Sequence, residues 1–212
     1  MTGSILLGIF IIILVLVAVL VVRTCSRQPT PAMTASVELD KGPRAREYGE
    51  QLSKMIQKET VSSRFDSDKT KYYEFHKILE ELFPLVHKTC EKHVFNGNLL
   101  FKWSGKGKAE PILLMSHQDV VEANGSWEHE PFGGYIDGEG KLWGRGTVDT
   151  KGSLYCIFRS VEELIAEGFQ PEGDVYIASS CTEEFSGEGA PLTVEYLQSQ
   201  GVKLSLLIDE GG

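Results

Sequence analysis

A short apolar segment that ends in a histidine and a carboxylate constrains the fold of this chain more than any other feature. Residues 112–121 have the sequence ILLMSHQDVV and follow Glu110-Pro111. An apolar run of this length, bounded by a proline, predicts a strand buried on both faces, as in a parallel sheet. His117 then lies at the carboxyl end of the strand. Because alternate residues point to the same side, Asp119 can contact the imidazole and select the ring nitrogen that is free to bind a metal.

The same pattern of an apolar segment followed by acids recurs downstream. A lone histidine after a strand is commonly a hydrogen-bonded structural residue. The interpretation of His117 as a metal ligand therefore depends on the recurrence of the pattern downstream. The carboxyl ends of parallel strands meet along one edge of an open α/β sheet, where ligands bind. Acids crowded there repel each other unless a cation holds them together, and a mixed nitrogen and oxygen set favours zinc, cobalt or manganese over calcium. The three further segments are 142–148 before Asp149, 175–178 before Glu183-Glu184, and 204–208 before Asp209-Glu210.

These motifs resemble the zinc-dependent exopeptidases and deacylases that include carboxypeptidase S, aminoacylase, acetylornithine deacetylase and succinyl-diaminopimelate desuccinylase. The carboxypeptidase S branch is the most similar. The resemblance extends from about Tyr48 to Gly212 and rests on four ordered motifs, with Trp127 and Pro131-Phe132-Gly134 in support. The motifs are SHQDVV at 116–121, WGRGTVDTKG at 143–152, TEE at 182–184 and DEGG at 209–212.

The resemblance implies a two-metal centre that hydrolyses an amide bond. Two divalent ions, with zinc preferred and cobalt or manganese as alternatives, would share a hydroxide that attacks the carbonyl. The implied substrate is a peptide that loses its carboxy-terminal residue, or an N-acyl amino acid. Without the other motifs, two adjacent glutamates would indicate a solvated surface pair. The implied roles are Asp149 as the bridging ligand, His117 and Asp209 on one ion, Glu184 on the other, Glu183 as general base, and Asp119 as the residue that orients His117.

Two departures from the family pattern affect these expectations. Thr150 stands where many relatives have an acidic residue or asparagine, next to a peptide bond that the resemblance implies to be strained, with cis geometry as one form of that strain. The family's second, smaller lid or dimerisation domain and its late histidine ligand have no counterpart up to Gly212. We therefore expect the amino-terminal part of a longer enzyme, one that by itself holds at most one metal well and turns over poorly. Its oligomeric state stays unknown.

The amino-terminal segment predicts a single membrane-spanning helix. Residues 5–22 form 18 consecutive uncharged and almost wholly apolar positions, which reaches the lower limit for a span. A signal peptide is the alternative, although a basic leader and a convincing cleavage site are missing. Arg23 and Arg27 favour a cytoplasmic catalytic domain, whereas the family resemblance favours an extracellular or luminal one. Asn124-Gly125-Ser126 matches a glycosylation acceptor, a triplet that also arises by chance.

The remaining chain divides into a tether and one domain. We predict an anchor or signal peptide at 1–23, a tether at 24–42 with Pro29 and Pro31, and a catalytic domain at 43–212. All charged residues lie beyond Val22, where 21 basic and 30 acidic side chains give a net charge of -9. That balance disfavours nucleic acid and anionic membrane surfaces as main partners.

Alternating helices and strands predict an α/β fold, a three-layer sandwich with a mostly parallel central sheet. Apolar positions on one face predict helices near 48–56, 72–83 and 154–165, and Leu99–Trp103 predicts a strand. Two function classes remain open: a di-metal amidohydrolase, and a membrane-anchored, catalytically silent binding module with an incomplete metal site. A downstream sheet-forming domain with a late histidine would favour the enzyme.

Overall fold

The amino-terminal part of the molecule is one long apolar helix. The computed structural model describes residues 2–26, 42–65 and 67–210 and divides the chain into two units, Met1–Asp40 and Lys41–Gly212. Helix α1 spans Thr2–Cys25, and its segment Ile5–Cys25 has a mean hydropathy of 3.7 with no buried part. At about 1.5 Å per residue, this helix is long enough to cross a membrane, and a signal sequence would have the same properties. Most of the predicted tether lies outside the described residues.

The second unit alternates helices and strands, as the sequence predicts. The three helices expected from apolar periodicity are confirmed, and Pro84 starts a separate helix directly after the second of them. The helices are α2 (Pro43–Gln57), α3 (Thr70–Leu82), α4 (Pro84–Thr89), α5 (Lys151–Ala166) and α6 (Gly189–Ser199), with a 3-10 turn at Glu183–Phe185. The strands are β1 (Glu91–Phe95), β2 (Asn98–Trp103), β3 (Ile112–Met115), β4 (Tyr135–Ile136), β5 (Leu142–Trp143), β6 (Val175–Ser179) and β7 (Leu206–Ile208).

The central sheet is mixed rather than mostly parallel. Its strand order is β1-β2-β6-β3-β7, in which β3 runs parallel to both β6 and β7, while β1 pairs with β2 and β2 with β6 in antiparallel fashion. The tight Asn96-Gly97 turn, with φ of 49° and 87°, joins β1 to β2 and allows the antiparallel hairpin. The parallel part that carries the candidate site is therefore limited to β6, β3 and β7.

The apolar segment before Asp149 does not join this sheet. Only Leu142–Trp143 is a strand, and it pairs with β4 in a separate two-stranded sheet. Gly144 and Gly146 then take φ values of 154° and 92°, which end the extended conformation. A Cβ on Gly144 would lie 2.5 Å from Cγ2 of Ile56. The expectation that Asp149 follows a strand of the main sheet is thus wrong, because a glycine-containing loop delivers it to the start of α5.

Helices cover both faces of the sheet and produce the expected three layers. On one face, Phe101 and Ile177 pack with buried residues of α2, α3, α4 and α5. On the other face, Leu100, Leu113 and Tyr176 pack with Leu197 of α6. Adjacent residues of β2 therefore enter different clusters, as the alternation of side chains along a strand requires.

Phe158 on α5 is the aromatic centre of the larger cluster, and its replacement tests the packing. Its ring centroid lies 5.3 Å from those of both Phe83 and Phe101, and it is fully buried. We expect Phe158→Ala to lower the free energy of unfolding by about 3–5 kcal/mol in urea denaturation, because it leaves a cavity. Phe65→Ala is the matched control: Phe65 is 95 % exposed, and its change should stay within about 0.5 kcal/mol. Equal losses in both variants would contradict the assigned core.

Candidate metal centre

The chain continues beyond β3 in an extended conformation that places His117 and Asp119 together. Backbone hydrogen bonds run from Ser116 N–H to the Ala178 carbonyl at 3.1 Å and from Gln118 N–H to the Ser180 carbonyl at 2.8 Å. Residues 117 and 119 therefore share one side, and residue 118 takes the other. His117 is 3 % exposed and Asp119 is fully buried.

Gln118 fixes this extended segment from the opposite side, a role that the sequence analysis missed. Its Nε2 donates to the carbonyls of Gly97 at 3.0 Å and Ser179 at 3.1 Å, which leaves Oε1 to accept from Nε2 of His76 at 2.9 Å. The side chain thereby joins the β1–β2 turn, the end of β6 and helix α3. The available signal was the alternation itself, since a polar residue between two site residues must face the protein interior.

Asp119 connects the histidine to the two adjacent glutamates. The Asp119 backbone carbonyl lies 2.9 Å from Nδ1 of His117, and its carboxylate lies 3.4 Å from the same nitrogen. That carboxylate also accepts the backbone N–H groups of Glu183 and Glu184, both at 3.2 Å. Nδ1 of His117 therefore faces Asp119, and Nε2 points to the other acids. The sequence motif suggested only the contact with His117.

Three carboxylates converge on the free nitrogen of His117. Its Nε2 lies 3.0 Å from Oδ1 of Asp149, 3.2 Å from Oε1 of Glu210 and 3.7 Å from Oε2 of Glu183. Glu184 joins the same region and accepts the Val121 N–H at 3.1 Å. Within the described residues, the ion pairs of the three converging carboxylates all use His117, and none uses lysine or arginine.

The acids form two overlapping groups with His117 as the shared member. Potential ligand atoms of His117, Asp149 and Glu184 lie within 4.8 Å of one another, and so do those of His117, Glu183 and Glu210. Asp209, the predicted ligand, lines the same cavity of about 170 Å³ as Glu210, and its Oδ1 accepts the Glu210 N–H at 3.0 Å. The structure thus brings Glu210 closer to His117 than the sequence suggested, and Asp209 as a ligand stays a prediction.

The charges of these groups act on one another. Burial lowers the pKa of His117, but the hydrogen bond and charge of Asp119, with the charge of Glu210, raise it to about 9. Burial raises the pKa of Glu183 and Glu184, and neighbouring carboxylates add to the effect. Among the residues that the structure describes, the protonated imidazole of His117 is thus the one cationic partner of Asp149, Glu183 and Glu210. A divalent cation at this place would relieve the repulsion between them.

Residues around the start of α5 hold Asp149 in position. The Asp149–Thr150 peptide bond is cis, in agreement with the geometry that the family resemblance implied. Ser116 Oγ donates to the Thr150 carbonyl at 3.0 Å. The buried Lys151 ammonium donates to the carbonyls of Met55 at 3.1 Å and Lys58 at 2.7 Å, and burial, with the charge of Lys58, lowers its pKa to about 7. Lys151 therefore ties the end of α2 to the turn that carries Asp149.

The donor set fits a divalent transition metal. One imidazole nitrogen and several carboxylate oxygens, without a thiolate, are ligands that suit zinc, cobalt or manganese. The contact of Nδ1 with Asp119 fixes the tautomer in which Nε2 can bind, as is usual for histidine ligands.

Comparison with known proteins assigns this arrangement to a family. Residues 113–212 match the model of peptidase family M20/M25/M40. The chain is 32 % identical over 211 residues to "Probable carboxypeptidase S-like 2" of Dictyostelium discoideum, with 94 % of this chain and 40 % of that protein covered. It is 37 % identical over 222 residues to "N-fatty-acyl-amino acid synthase/hydrolase PM20D1" of Xenopus tropicalis, with coverages of 99 % and 43 %. The chain carries a peptidase M20 domain.

Solved structures support the M20 fold. The human carnosine dipeptidase 1 structure matches 80 % of this chain with a TM-score of 0.65 at 14 % identity, and this match covers 39 % of that chain. The M20 family metallo-carboxypeptidase Sso-CP2 from Sulfolobus solfataricus matches 78 % of this chain with a TM-score of 0.64 at 18 % identity, and 37 % of that chain is covered. This M20 chain thus spans about two fifths of the length of these relatives.

The burial of His76 predicts a pH-dependent stability. Burial lowers the pKa of His76 from 6.5 to about 4. The His76 imidazole therefore stays neutral in the folded protein, while in the unfolded chain it takes up a proton below pH 6.5. Stability is then lost as the pH falls from 6.5 towards 4. Between pH 7 and pH 5, His76 should account for a loss of about 2 kcal/mol in the free energy of unfolding.

His76→Gln removes the titration and keeps a donor for Gln118. Urea denaturation should show a pH 7 to pH 5 loss that is smaller in this variant by about that amount. His87, whose pKa is also lowered by burial, contributes equally to both proteins and cancels in the comparison. Identical losses in the two proteins would contradict a neutral, buried His76.

Proposed function

We propose that this M20 chain forms the metal-binding part of an amidohydrolase that removes a carboxy-terminal residue from a peptide or cleaves an N-acyl amino acid. The observation that carries the proposal is the convergence of Asp149, Glu183 and Glu210 on one buried imidazole. The single positive charge of a protonated His117 offsets only part of the repulsion among these acids, and a bound divalent cation would offset more of it. A purely structural role for His117 offers no reason for so many carboxylates.

The names of the relatives support the substrate class. One group is named for carboxypeptidase S and the other for an N-fatty-acyl-amino acid synthase/hydrolase. In both kinds of hydrolysis the leaving group is the amino group of an amino acid. An active site that protonates such an amine serves either reaction, so both substrates belong to the proposal.

The metal ligands in this proposal are His117, Asp149, Glu184 and Asp209, with Asp149 shared between two ions and zinc as the preferred metal. Glu210 is an additional candidate because its Oε1 lies 3.2 Å from His117 Nε2. When bound, such ions would polarise the substrate carbonyl and acidify water. The histidine contributes through Nε2, which Asp119 leaves free by occupying Nδ1.

Glu183 acts as the general base in this proposal. Burial raises its pKa, and its half-exposed carboxylate lines the cavity that also contains His117. In this position it takes a proton from the attacking water and later gives it to the leaving amine. Asp119 is a positioning residue, because it holds the backbone of Glu183 and the ring of His117 without facing the cavity.

Helix α1 acts as an uncleaved membrane anchor in this proposal. Its length and hydropathy support a membrane span, and the catalytic domain would face the lumen or the extracellular space.

Metal content tests the ligand assignment. We expect the purified 212-residue chain to bind zinc, and His117→Ala to lower its affinity more than about 100-fold. Asp119→Asn should lower it about 10- to 100-fold, as is typical when a residue behind a metal ligand is changed. His93→Ala, a histidine on β1, is the matched control and should bind zinc like the parent chain. Zinc affinity that is unchanged in His117→Ala by competition with a chromogenic chelator would refute the assignment.

Hydrolysis tests the base. We expect Glu183→Gln to lower kcat about 10²- to 10⁴-fold towards both N-acyl amino acids and blocked dipeptides, with the zinc content retained. Glu195→Gln makes the same change on the exposed face of α6 and should leave kcat unaltered. Release of the free amino acid measures the rate. If Glu183→Gln hydrolyses as fast as the parent protein, Glu183 is not the base.

A further inference from the structure

The loop that contains Asn124 is an exposed turn next to the candidate metal centre. Asn124, Gly125 and Ser126 are all exposed and lie outside helices and strands. Gly125 has a φ of 86°, and a Cβ built on it would meet no atom within 4 Å. The turn at Gly125 therefore has open space beside it, and the neighbouring Asn124 side chain is exposed.

The local contacts keep this turn in place without covering it. Asn124 Nδ2 donates to Oε2 of the exposed Glu122 at 3.0 Å, and the Trp127 indole N–H donates to the Asn124 carbonyl at 3.3 Å. The guanidinium of Arg145 lies 5.1 Å from the centre of the Trp127 ring. A large substituent on Asn124 Nδ2 would replace one surface hydrogen bond and would not displace a buried group.

The sequence supplies an acceptor at this position and at no other. Asn124-Gly125-Ser126 is an Asn-x-Ser triplet without proline, while the other asparagines of the chain, Asn96 and Asn98, lack Ser or Thr two residues later. Asn98 is buried and donates to the Phe95 carbonyl, so it could not carry a bulky group. The single matching triplet thus coincides with an exposed turn.

We propose that Asn124 carries an N-linked glycan, added while the chain enters the secretory pathway through its amino-terminal apolar helix. The transferred group is an oligosaccharide linked to a lipid pyrophosphate. A bond forms between Asn124 Nδ2 and C1 of the sugar, the bond between C1 and the pyrophosphate oxygen breaks, its electron pair leaves with the lipid pyrophosphate, and the amide nitrogen loses one proton. Because this transfer takes place in the lumen of the secretory pathway, the proposal requires residues 42–210 to lie on the luminal or extracellular side of the membrane.

This proposal opposes the membrane orientation that the basic residues near the end of α1 would favour. Arg23 and Arg27 would favour a cytoplasmic carboxy-terminal side, where no glycan is added. Asn124 also lines a cavity of about 340 Å³ with Ser62 and Glu184, so the glycan would stand at the rim of the candidate metal centre. Its detection decides the orientation independently of any catalytic activity.

The test uses the full chain with a carboxy-terminal epitope, expressed in cultured animal cells. We expect one band that moves to lower apparent mass after digestion with the amidase that cleaves N-glycans, and conversion of Asn124 to aspartate in the mass spectrum of the digested protein. Asn124→Gln and Ser126→Ala should each run at the lower mass before digestion. Ser126→Thr keeps the acceptor and should retain the shift.

Two outcomes would overturn the proposal. One is a parent chain whose mobility is unchanged by the amidase, which would mean that Asn124 is not modified. The other is a shift that persists in Asn124→Gln. The readout is a mass and not a rate, so its result is independent of the zinc and hydrolysis experiments. An unglycosylated chain that binds zinc would refute the glycosylation proposal and leave the proposed function standing.

Discussion

The geometry of the candidate centre depends on the carboxylate of Asp119. It is fully buried, and it faces the imidazole of His117 on one side and the N–H groups of Glu183 and Glu184 on the other. These groups belong to segments after β3 and β6, two neighbouring parallel strands. A buried carboxylate without such donors would be costly, so the contact joins the two segments in one arrangement. The position of Glu183 relative to His117 follows from it.

The support behind the site is mostly polar and comes from outside the motifs. Gln118 connects the His117 segment to the β1–β2 turn and to His76, and Lys151 connects the Asp149 turn to the end of α2. Each of these buried side chains donates hydrogen bonds to two backbone carbonyls. The acids that face the cavity can therefore be partly hydrated and mutually repulsive, because the stability of their backbone comes from the residues behind them.

The sequence predicted helices α1, α2, α3 and α5, the strand β2, the three layers and the residues around His117, since apolar periodicity and the ordered motifs are local signals. The predictions from sequence failed where contacts between residues distant in the chain determine the structure. The parallel character of the sheet was overestimated because β2 returns next to β6, and Asp149 arrives from a glycine loop instead of a sheet strand. The roles of Gln118 and Lys151 were also missed, because both depend on carbonyls distant in the sequence.

The two adjacent acids after β7, Asp209 and Glu210, differ in how close their carboxylates lie to His117. Among the described residues, β7 pairs with β3 alone, and its side chains are about half exposed. Asp209 and Glu210 therefore follow a strand that is paired on one side, whereas His117 follows β3, which is paired on both sides. Both line the same cavity, and Glu210 has the longer side chain, which carries its Oε1 to 3.2 Å from His117 Nε2. The reach of the side chain therefore distinguishes the two acids: Asp209 lies on the cavity wall, and Glu210 lies next to the imidazole.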